Sequence, residues 1–214
     1  MTNDLQGTAE FYSTVLGLPL LKYDKNALII DAGSSQLLFR SSENLHPVHH
    51  FAFNIPCNQI DAALHYLRQK DLGVFVYEGH QIIDFSAWNA KAIYFEDNNG
   101  NILELIARFD LNNKSMAPFG PGSFLCLSEI AIVANDVEAQ CRDLENTIGL
   151  LHYDKQPAHQ NFAAMGNAEG LLIISSEGRN WFPTEIPAQK SPVTITLLQN
   201  NRQYSLDFNH DLAT

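Results

Sequence analysis

The sequence predicts an α+β protein that contains two tandem copies of one structural unit, the second of them incomplete. Three segments have the apolar spacing of helices, and short stretches of alternating polarity between them are typical of strands. Several short motifs of the first half recur in the same order in the second half, which indicates an internal repeat. Asn99-Gly100 is a strong hairpin signal, because Asn and Gly readily adopt the positive φ angles of a two-residue turn.

The first copy is expected to begin with a helix followed by three strands. Asp4 is positioned to cap this helix, and Gly17 is positioned to end it. Strands are predicted at residues 18–23, 27–31 and 36–40, where short apolar runs are separated by turn residues. This part of the unit has no opening strand.

A more complete unit follows, with the order strand, helix, strand, strand, strand. Its helix is predicted to start at a cap formed by Asn58 and to end near Gly73. The hairpin at Asn99-Gly100 connects the last two strands. The four strands are expected at residues 50–55, 74–77, 91–96 and 102–107.

The repeat connects the two halves of the chain. The motif LLFRSSE at 37–43 recurs as LLIISSE at 171–177, and Tyr-Asp-Lys at 23–25 recurs at 153–155. The second copy also supplies an opening strand, at 127–133. It has a helix after that strand but no counterpart of the closing hairpin, so we expect it to be a truncated copy.

Domain boundaries are predicted from a change in composition. Gly, Pro and polar residues are concentrated in a short segment after the first copy, as in a linker. We therefore expect a first domain at 1–110 that lacks its first strand, a linker at 111–124 and a second, truncated domain at 125–214.

Composition excludes several classes of protein. The net charge is −11 and the 13 Lys and Arg residues are scattered, which argues against a nucleic-acid partner. Cys57, Cys126 and Cys141 are far apart, so reduced thiols are expected rather than disulfides. No segment has the length and apolarity of a membrane span or a signal peptide, and we expect a cytoplasmic protein without membrane contact.

Two ionisable residues lie in otherwise apolar strands. In the strand at 102–107, Glu104 alternates with leucines, and His50 alternates with Phe51 and Phe53 in the strand before the helix. If the fully apolar faces pack under helices, His50 and Glu104 point to the other side of the sheet. An imidazole and a carboxylate that converge there could bind a divalent metal or perform acid–base chemistry.

Structural interpretations of the same residues stay open. Glu104 could pair with Arg108 or Arg40 instead of a metal, since a buried carboxylate needs a partner. Tyr94 and Trp88 could line a substrate pocket or could simply pack in the core.

Three stretches resemble the vicinal oxygen chelate superfamily, which includes glyoxalase I, bleomycin resistance proteins and extradiol dioxygenases. They are AEFYSTVLGLPLL at 9–21, HHFAFNIP at 49–56 and YFEDNNGNILEL at 94–105. The resemblance is specific in the first copy and is supported in the second by the internal repeat. It implies paired βαβββ modules that form a cupped mixed sheet around a divalent metal, which the substrate chelates through adjacent oxygens.

Carried over to matching positions, the resemblance implies metal ligands at His50 and Glu104. The family's third ligand is a His on the first module's opening strand, and it has no match in this sequence. Leu38 stands near the position of an extra Glu in glyoxalase I sites, which leaves the two-His-one-carboxylate type of site. In the second copy Glu129 occupies the opening-strand position, but Val193 replaces the His, so no metal is expected there.

The resemblance implies a metal-dependent enzyme that acts on a small substrate with vicinal oxygens. A ring-cleaving, extradiol-type dioxygenase is the leading interpretation, a lyase is another, and the cofactor would be iron, manganese or zinc. The alternative is a metal-free binding or sequestration protein of the bleomycin-resistance type, and a third reading is a truncated gene product. The missing edge strands also predict a homodimer.

Overall fold

The computed structural model describes residues 1–45, 47–157 and 159–208. The α-helices of this part are α1 (Leu5–Glu10), α2 (Ile60–Gln69) and α3 (Val137–Ile148), and a π-helical turn extends α1 over Phe11–Val15. The strands are β1 (Leu20–Tyr23), β2 (Ala27–Ala32), β3 (Ser35–Arg40), β4 (His50–Ile55), β5 (Ile83–Phe85), β6 (Ala90–Glu96), β7 (Ile102–Arg108), β8 (Cys126–Ala134), β9 (Phe162–Asn167), β10 (Gly170–Ser176), β11 (Thr194–Gln199) and β12 (Arg202–Asp207). No helix in these ranges is both long enough and apolar enough to cross a membrane.

The strands form one large mixed sheet and two small antiparallel ones. The large sheet has seven strands in the order β5-β6-β7-β4-β8-β10-β9, and it curls into a half-barrel. Within it β4 runs parallel to β7 and antiparallel to β8, and β8 runs parallel to β10. β1, β2 and β3 form a second sheet, and β11 and β12 form a hairpin. This architecture confirms the predicted α+β class with a cupped mixed sheet.

The large sheet joins strands from both sides of the predicted linker. β4 lies before residues 111–124 and β8 lies after them, yet the two strands pair directly. The unit β4-α2-β5-β6-β7 thus supplies one half of the cup, and β8-α3-β9-β10 supplies the other. The domain boundaries stay a prediction, but the cup depends on strands from both copies.

Helices cover the outer side of the sheet. Phe51, Phe53 and Ile55 of β4 are buried in one cluster with Ala63 and Leu67 of α2. On the other half, the apolar residues of α3 pack against β9 and β10; they are Val137, Cys141, Leu144 and Ile148. Because side chains alternate along a strand, this packing directs His50 and Glu104 to the concave side.

Of the two predicted N-caps, Asp4 is confirmed and Asn58 is wrong. Asp4 accepts a hydrogen bond from the Gly7 amide at 2.8 Å, and Asp136 caps α3 in the same way. Asn58 does not cap α2, whose N-cap position is Gln59. The Asn58 side chain instead donates to the carbonyl oxygen of Ser115 and accepts from its amide, so a tertiary contact replaces the local one.

The hairpin between β6 and β7 lies where the sequence predicts it, but the prediction of a two-residue turn is wrong. Asp97 Oδ1 accepts hydrogen bonds from the amides of Asn99 and Asn101 at 2.8 and 2.9 Å, which stabilises a five-residue connection. Gly100 supplies the positive φ angle, +76°. Asn99 does not adopt the positive φ angle that the two-residue turn requires, and its side-chain amide donates a hydrogen bond to Thr8 Oγ1 at 3.0 Å.

The prediction of a strand at 74–77 is also wrong. Val74 forms only an isolated bridge with Phe95, and the strand beside β6 is β5, farther along the chain. A short apolar run alone does not reveal which of two neighbouring segments pairs with the sheet edge.

Candidate metal centre

Three adjacent strands bring one histidine and two glutamates together on the concave face. Ala52 of β4 is paired with Glu104 of β7 on one side and with Glu129 of β8 on the other. His50 lies two residues before Ala52 and therefore shares its face. The small side chain of Ala52 leaves the space between the two carboxylates open, and the imidazole extends toward both.

The three side chains bring potential metal-ligand atoms close to one another. His50 Nε2 is 3.5 Å from Glu104 Oε2 and 3.8 Å from Glu129 Oε2. One potential ligand atom from each residue lies within 4.8 Å of the other two, and all three residues are buried. Both carboxylates and the imidazole could therefore hold a single metal ion.

A backbone hydrogen bond orients the His50 ring. Its Nδ1 lies 3.1 Å from the carbonyl oxygen of Ile102, which can only accept, so Nδ1 carries the proton. In a neutral imidazole this leaves the lone pair of Nε2 facing the two glutamates. Metal-binding histidines commonly have their second nitrogen bonded to a backbone carbonyl in this way.

Arg108 holds the second glutamate in place. Its Nη2 donates to Glu129 Oε1, and its Nε donates to Asn54 Oδ1 at 3.2 Å. The guanidinium also lies 5.3 Å from the centre of the Trp88 ring and is almost fully buried. Arg108 therefore pairs with Glu129 rather than with Glu104, the partner that the structural interpretation of the sequence considered.

Burial and mutual repulsion perturb the titration of these groups. Burial, followed by the nearby Glu129 carboxylate, raises the pKa of Glu104. Burial alone would lower the pKa of His50, but the nearby carboxylates of Glu129 and Glu104 outweigh that effect and raise it. Two carboxylates buried this close favour a positive partner, and a divalent cation or a protonated His50 would supply one.

The glutamates and His50 lie at the wall of a cavity of about 390 Å³. Trp88 and Tyr94 contribute to its aromatic surface, which favours the pocket interpretation of these two residues over simple core packing. Among the described residues, the cavity is lined by His50, Phe85, Trp88, Tyr94, Glu104, Ile106, Glu129, Gln156, His159, Asn161, Phe162, Ile173, Arg179, Trp181 and Phe182.

The comparison with protein families agrees with this architecture. The model of the glyoxalase/bleomycin resistance protein/dioxygenase superfamily matches residues 1–105. These residues belong to that superfamily. Members of the superfamily bind small-molecule substrates. Among curated proteins, none matches this sequence closely enough to count as a relative.

Solved structures resemble this chain over most of its length. A protein of Bacillus subtilis subsp. subtilis str. 168, described provisionally as a dioxygenase, has a TM-score of 0.59 and 15% identity, with 86% of this chain and 63% of the other covered. A glyoxalase I variant from Zea mays has a TM-score of 0.58 and 16% identity, with coverages of 86% and 67%. At these identities the likeness shows the fold alone. The chain thus spans about two thirds of the length of both proteins.

Glu129 is the site residue whose position the sequence analysis did not reveal. The internal repeat placed it at an opening-strand ligand position, but in a second copy where no metal was expected. The structure places its carboxylate beside His50 and Glu104, in the first copy's site. The internal repeat does align Glu129 with a ligand position, but only the pairing of β4 with β8 shows that its carboxylate reaches His50.

Proposed function

We propose that this superfamily member is a metal-dependent enzyme whose divalent ion is held by His50, Glu104 and Glu129. The observation that carries the proposal is the buried cluster of three potential ligand atoms at the wall of a cavity. One imidazole and two carboxylates suit iron, manganese or zinc. Glu129 takes the place of the third ligand for which the sequence has no histidine.

The bound ion would supply Lewis-acid activation of vicinal oxygens on a small substrate. The chain's own residues prepare the site for that role. The carbonyl of Ile102 keeps the proton of His50 on Nδ1, and Arg108 restrains Glu129 so that its Oε2 faces His50. Both contacts pre-organise the donor atoms before any ligand arrives.

The aromatic residues of the cavity wall favour a planar aromatic substrate. Phe85, Trp88 and Phe182 line the same cavity as the glutamates, and Tyr94 is 5.5 Å from Phe182 between ring centres. Aromatic walls exclude water and stack favourably on a flat ring. Ring-cleaving dioxygenation of the extradiol type is therefore the specific activity that we propose, with a lyase as the other enzymatic possibility.

A metal-free binding protein of the bleomycin-resistance type is the second candidate. The observation that favours it is the ion pair between Arg108 and Glu129, which already neutralises one carboxylate. The raised pKa of His50 would let a protonated imidazole neutralise Glu104 in the same way. Such a network is balanced in charge without an ion.

Metal analysis separates the two candidates. Protein purified without chelators is analysed for iron, manganese and zinc, and the metal-free form is then titrated with each ion by calorimetry. For the enzyme we expect about one equivalent per chain and at least tenfold weaker binding in His50→Ala. The matched control is His65→Ala, because His65 is exposed on α2. An absence of binding in the unmodified protein would contradict the enzyme and support the binding protein.

A further inference from the structure

Trp88 lies at the rim of the cavity, where side chains from the two halves of the cup meet. Its ring lines the cavity and is partly buried. Two other lining residues, His159 and Asn161, are exposed, which indicates that the cavity meets solvent near the segment that carries them. The three candidate metal ligands, by contrast, are buried. A small molecule that reaches those ligands therefore enters past a rim of partly exposed residues.

Contacts from the second half of the cup hold Trp88 in place. Its indole Nε1 donates a hydrogen bond to Gln156 Oε1 at 3.1 Å, and Lys155 Nζ donates to its carbonyl oxygen at 3.5 Å. Lys155 also forms an ion pair with Asp110 Oδ2. The other oxygen of Asp110 accepts a hydrogen bond from the Asn89 side chain at 2.6 Å. These contacts join a loop before the predicted linker to a segment after it.

The Trp88 ring covers two side chains that lie deeper in the structure. It meets the Tyr153 ring edge to face, with 5.1 Å between ring centres, and its own centre is 5.3 Å from the Arg108 guanidinium. Arg108 is buried and forms the ion pair that holds Glu129. Displacement of the Trp88 ring would therefore admit water to this ion pair as well as to the cavity.

The rim contacts are weaker than the contacts at the floor of the cup. At the floor, β4 and β8 are joined by backbone pairing. At the rim, the side chains of Lys155 and Asp110 are 27% and 41% exposed, and ion pairs in contact with water contribute little and are screened by salt. Trp88 itself ends a single turn of 3₁₀ helix, Ser86–Trp88. Such a turn opens locally more readily than a paired strand does, so the rim can move while the sheet stays intact.

We propose that Lys155 and Gln156 form a latch that holds Trp88 at the rim of the cavity, and that a ligand enters when this latch opens. Lys155 fixes the backbone of Trp88 and Gln156 fixes its indole ring. Both are positioning residues, because they act through Trp88. The latch does not depend on the proposed metal centre, since the same rim bounds the cavity whether or not an ion is bound.

Acrylamide quenching of tryptophan fluorescence tests the latch. The chain has two tryptophans, Trp88 and Trp181, so Trp181→Phe leaves Trp88 as the single emitter. We expect limited quenching in Trp181→Phe and at least about threefold stronger quenching when Lys155→Met is added. Asp110→Asn should have a similar effect. The two changes together should add little to either one, because they break the same ion pair.

Salt distinguishes a latch from a general loosening of the fold. Raising NaCl from about 0.05 M to about 1 M screens an exposed ion pair, so it should increase the quenching of Trp88 in Trp181→Phe. With Lys155→Met added, quenching should already be strong and should not respond to salt. Lys22→Met is the matched control, because Lys22 on β1 forms an exposed ion pair with Asp24, and it should leave quenching unchanged.

Two results would overturn the latch. One is equal quenching of Trp88 with and without Lys155→Met. The other is quenching at low salt that equals that of free N-acetyltryptophanamide, because the ring would then be uncovered while the latch is intact. Loss of the metal centre would appear in the calorimetric titration and would leave these measurements unchanged.

Fluorine NMR replaces fluorescence if Trp181→Phe fails to fold. The otherwise unmodified protein is labelled with 5-fluorotryptophan, so that each of the two rings gives its own signal. Lys155→Met should shift or broaden one signal and leave the other in place. Two unchanged signals would overturn the latch.

Discussion

Glu129 Oε2 lies 3.8 Å from His50 Nε2, although the two residues are in different copies of the internal repeat. Their contact depends on the pairing of β4 with β8. The candidate centre is therefore shared between the copies, and each copy alone has an incomplete set of donor atoms.

Replacement of Glu129 by Gln should weaken metal binding. The amide is nearly isosteric and can still accept a hydrogen bond from Arg108, but it lacks the negative charge that a divalent ion favours. We expect at least tenfold weaker binding of Mn²⁺ or Fe²⁺, measured by calorimetry on the metal-free protein. Glu177→Gln is the control, because Glu177 is exposed. Unchanged affinity in Glu129→Gln would exclude this carboxylate as a ligand.

Replacement of Arg108 by Met should destabilise the metal-free protein. Removal of one partner leaves the buried Glu129 carboxylate uncompensated, which costs about 3–5 kcal/mol in comparable pairs. Urea unfolding in the presence of a chelator measures this loss. Addition of metal should recover part of it, since the ion would compensate Glu129.

The control for this experiment is Arg142→Met. Arg142 forms an exposed ion pair with Glu138 on α3, and such pairs contribute roughly 0–1 kcal/mol. Equal losses in the two variants would contradict the importance that we assign to the buried pair.

The raised pKa of Glu104 predicts a specific dependence of stability on pH. The folded protein binds this proton more tightly than the unfolded chain, so the stabilisation is complete below the ordinary carboxyl pKa of 4.5 and is lost as pH rises to about 8. The raised pKa of His50 acts in the same direction. In metal-free protein, stability relative to Glu104→Gln should fall by roughly 1 kcal/mol or more across this window. Urea unfolding at pH 5, 6.5 and 8 measures the difference, and parallel curves would argue against a buried Glu104.

The homodimer stays a prediction to which the structure adds a candidate surface. Leu21 and Leu38 on the three-stranded sheet are large apolar side chains with exposed surface, which an interface with a second copy would cover. Light scattering should give twice the chain mass of 23.9 kDa. Leu38→Glu should then favour the monomer, because it places a charge on this surface. A monomer in the unmodified protein at micromolar concentration would contradict the prediction.

The family and the general architecture could be predicted because their signals are local. Alternation with a period of two places His50 and Glu104 opposite the residues that pack under α2, and Asp4 and Asp136 cap their helices through contacts within a single turn. The hairpin before Glu104 is likewise indicated by adjacent residues. The length of its turn was not indicated, because Asn99 lacks the positive φ angle of a two-residue turn and its side chain bonds to Thr8, which is distant in sequence.

The sequence by itself therefore determined which faces of the strands are polar. Those polar faces include two of the three candidate ligands, His50 and Glu104. The tertiary structure decided the third ligand and the partner of Arg108. Alternation is a property of one strand, whereas the choice of neighbouring strand depends on the free energy of packing the whole sheet. The convergence of His50, Glu104 and Glu129 on one cavity arises only at that level.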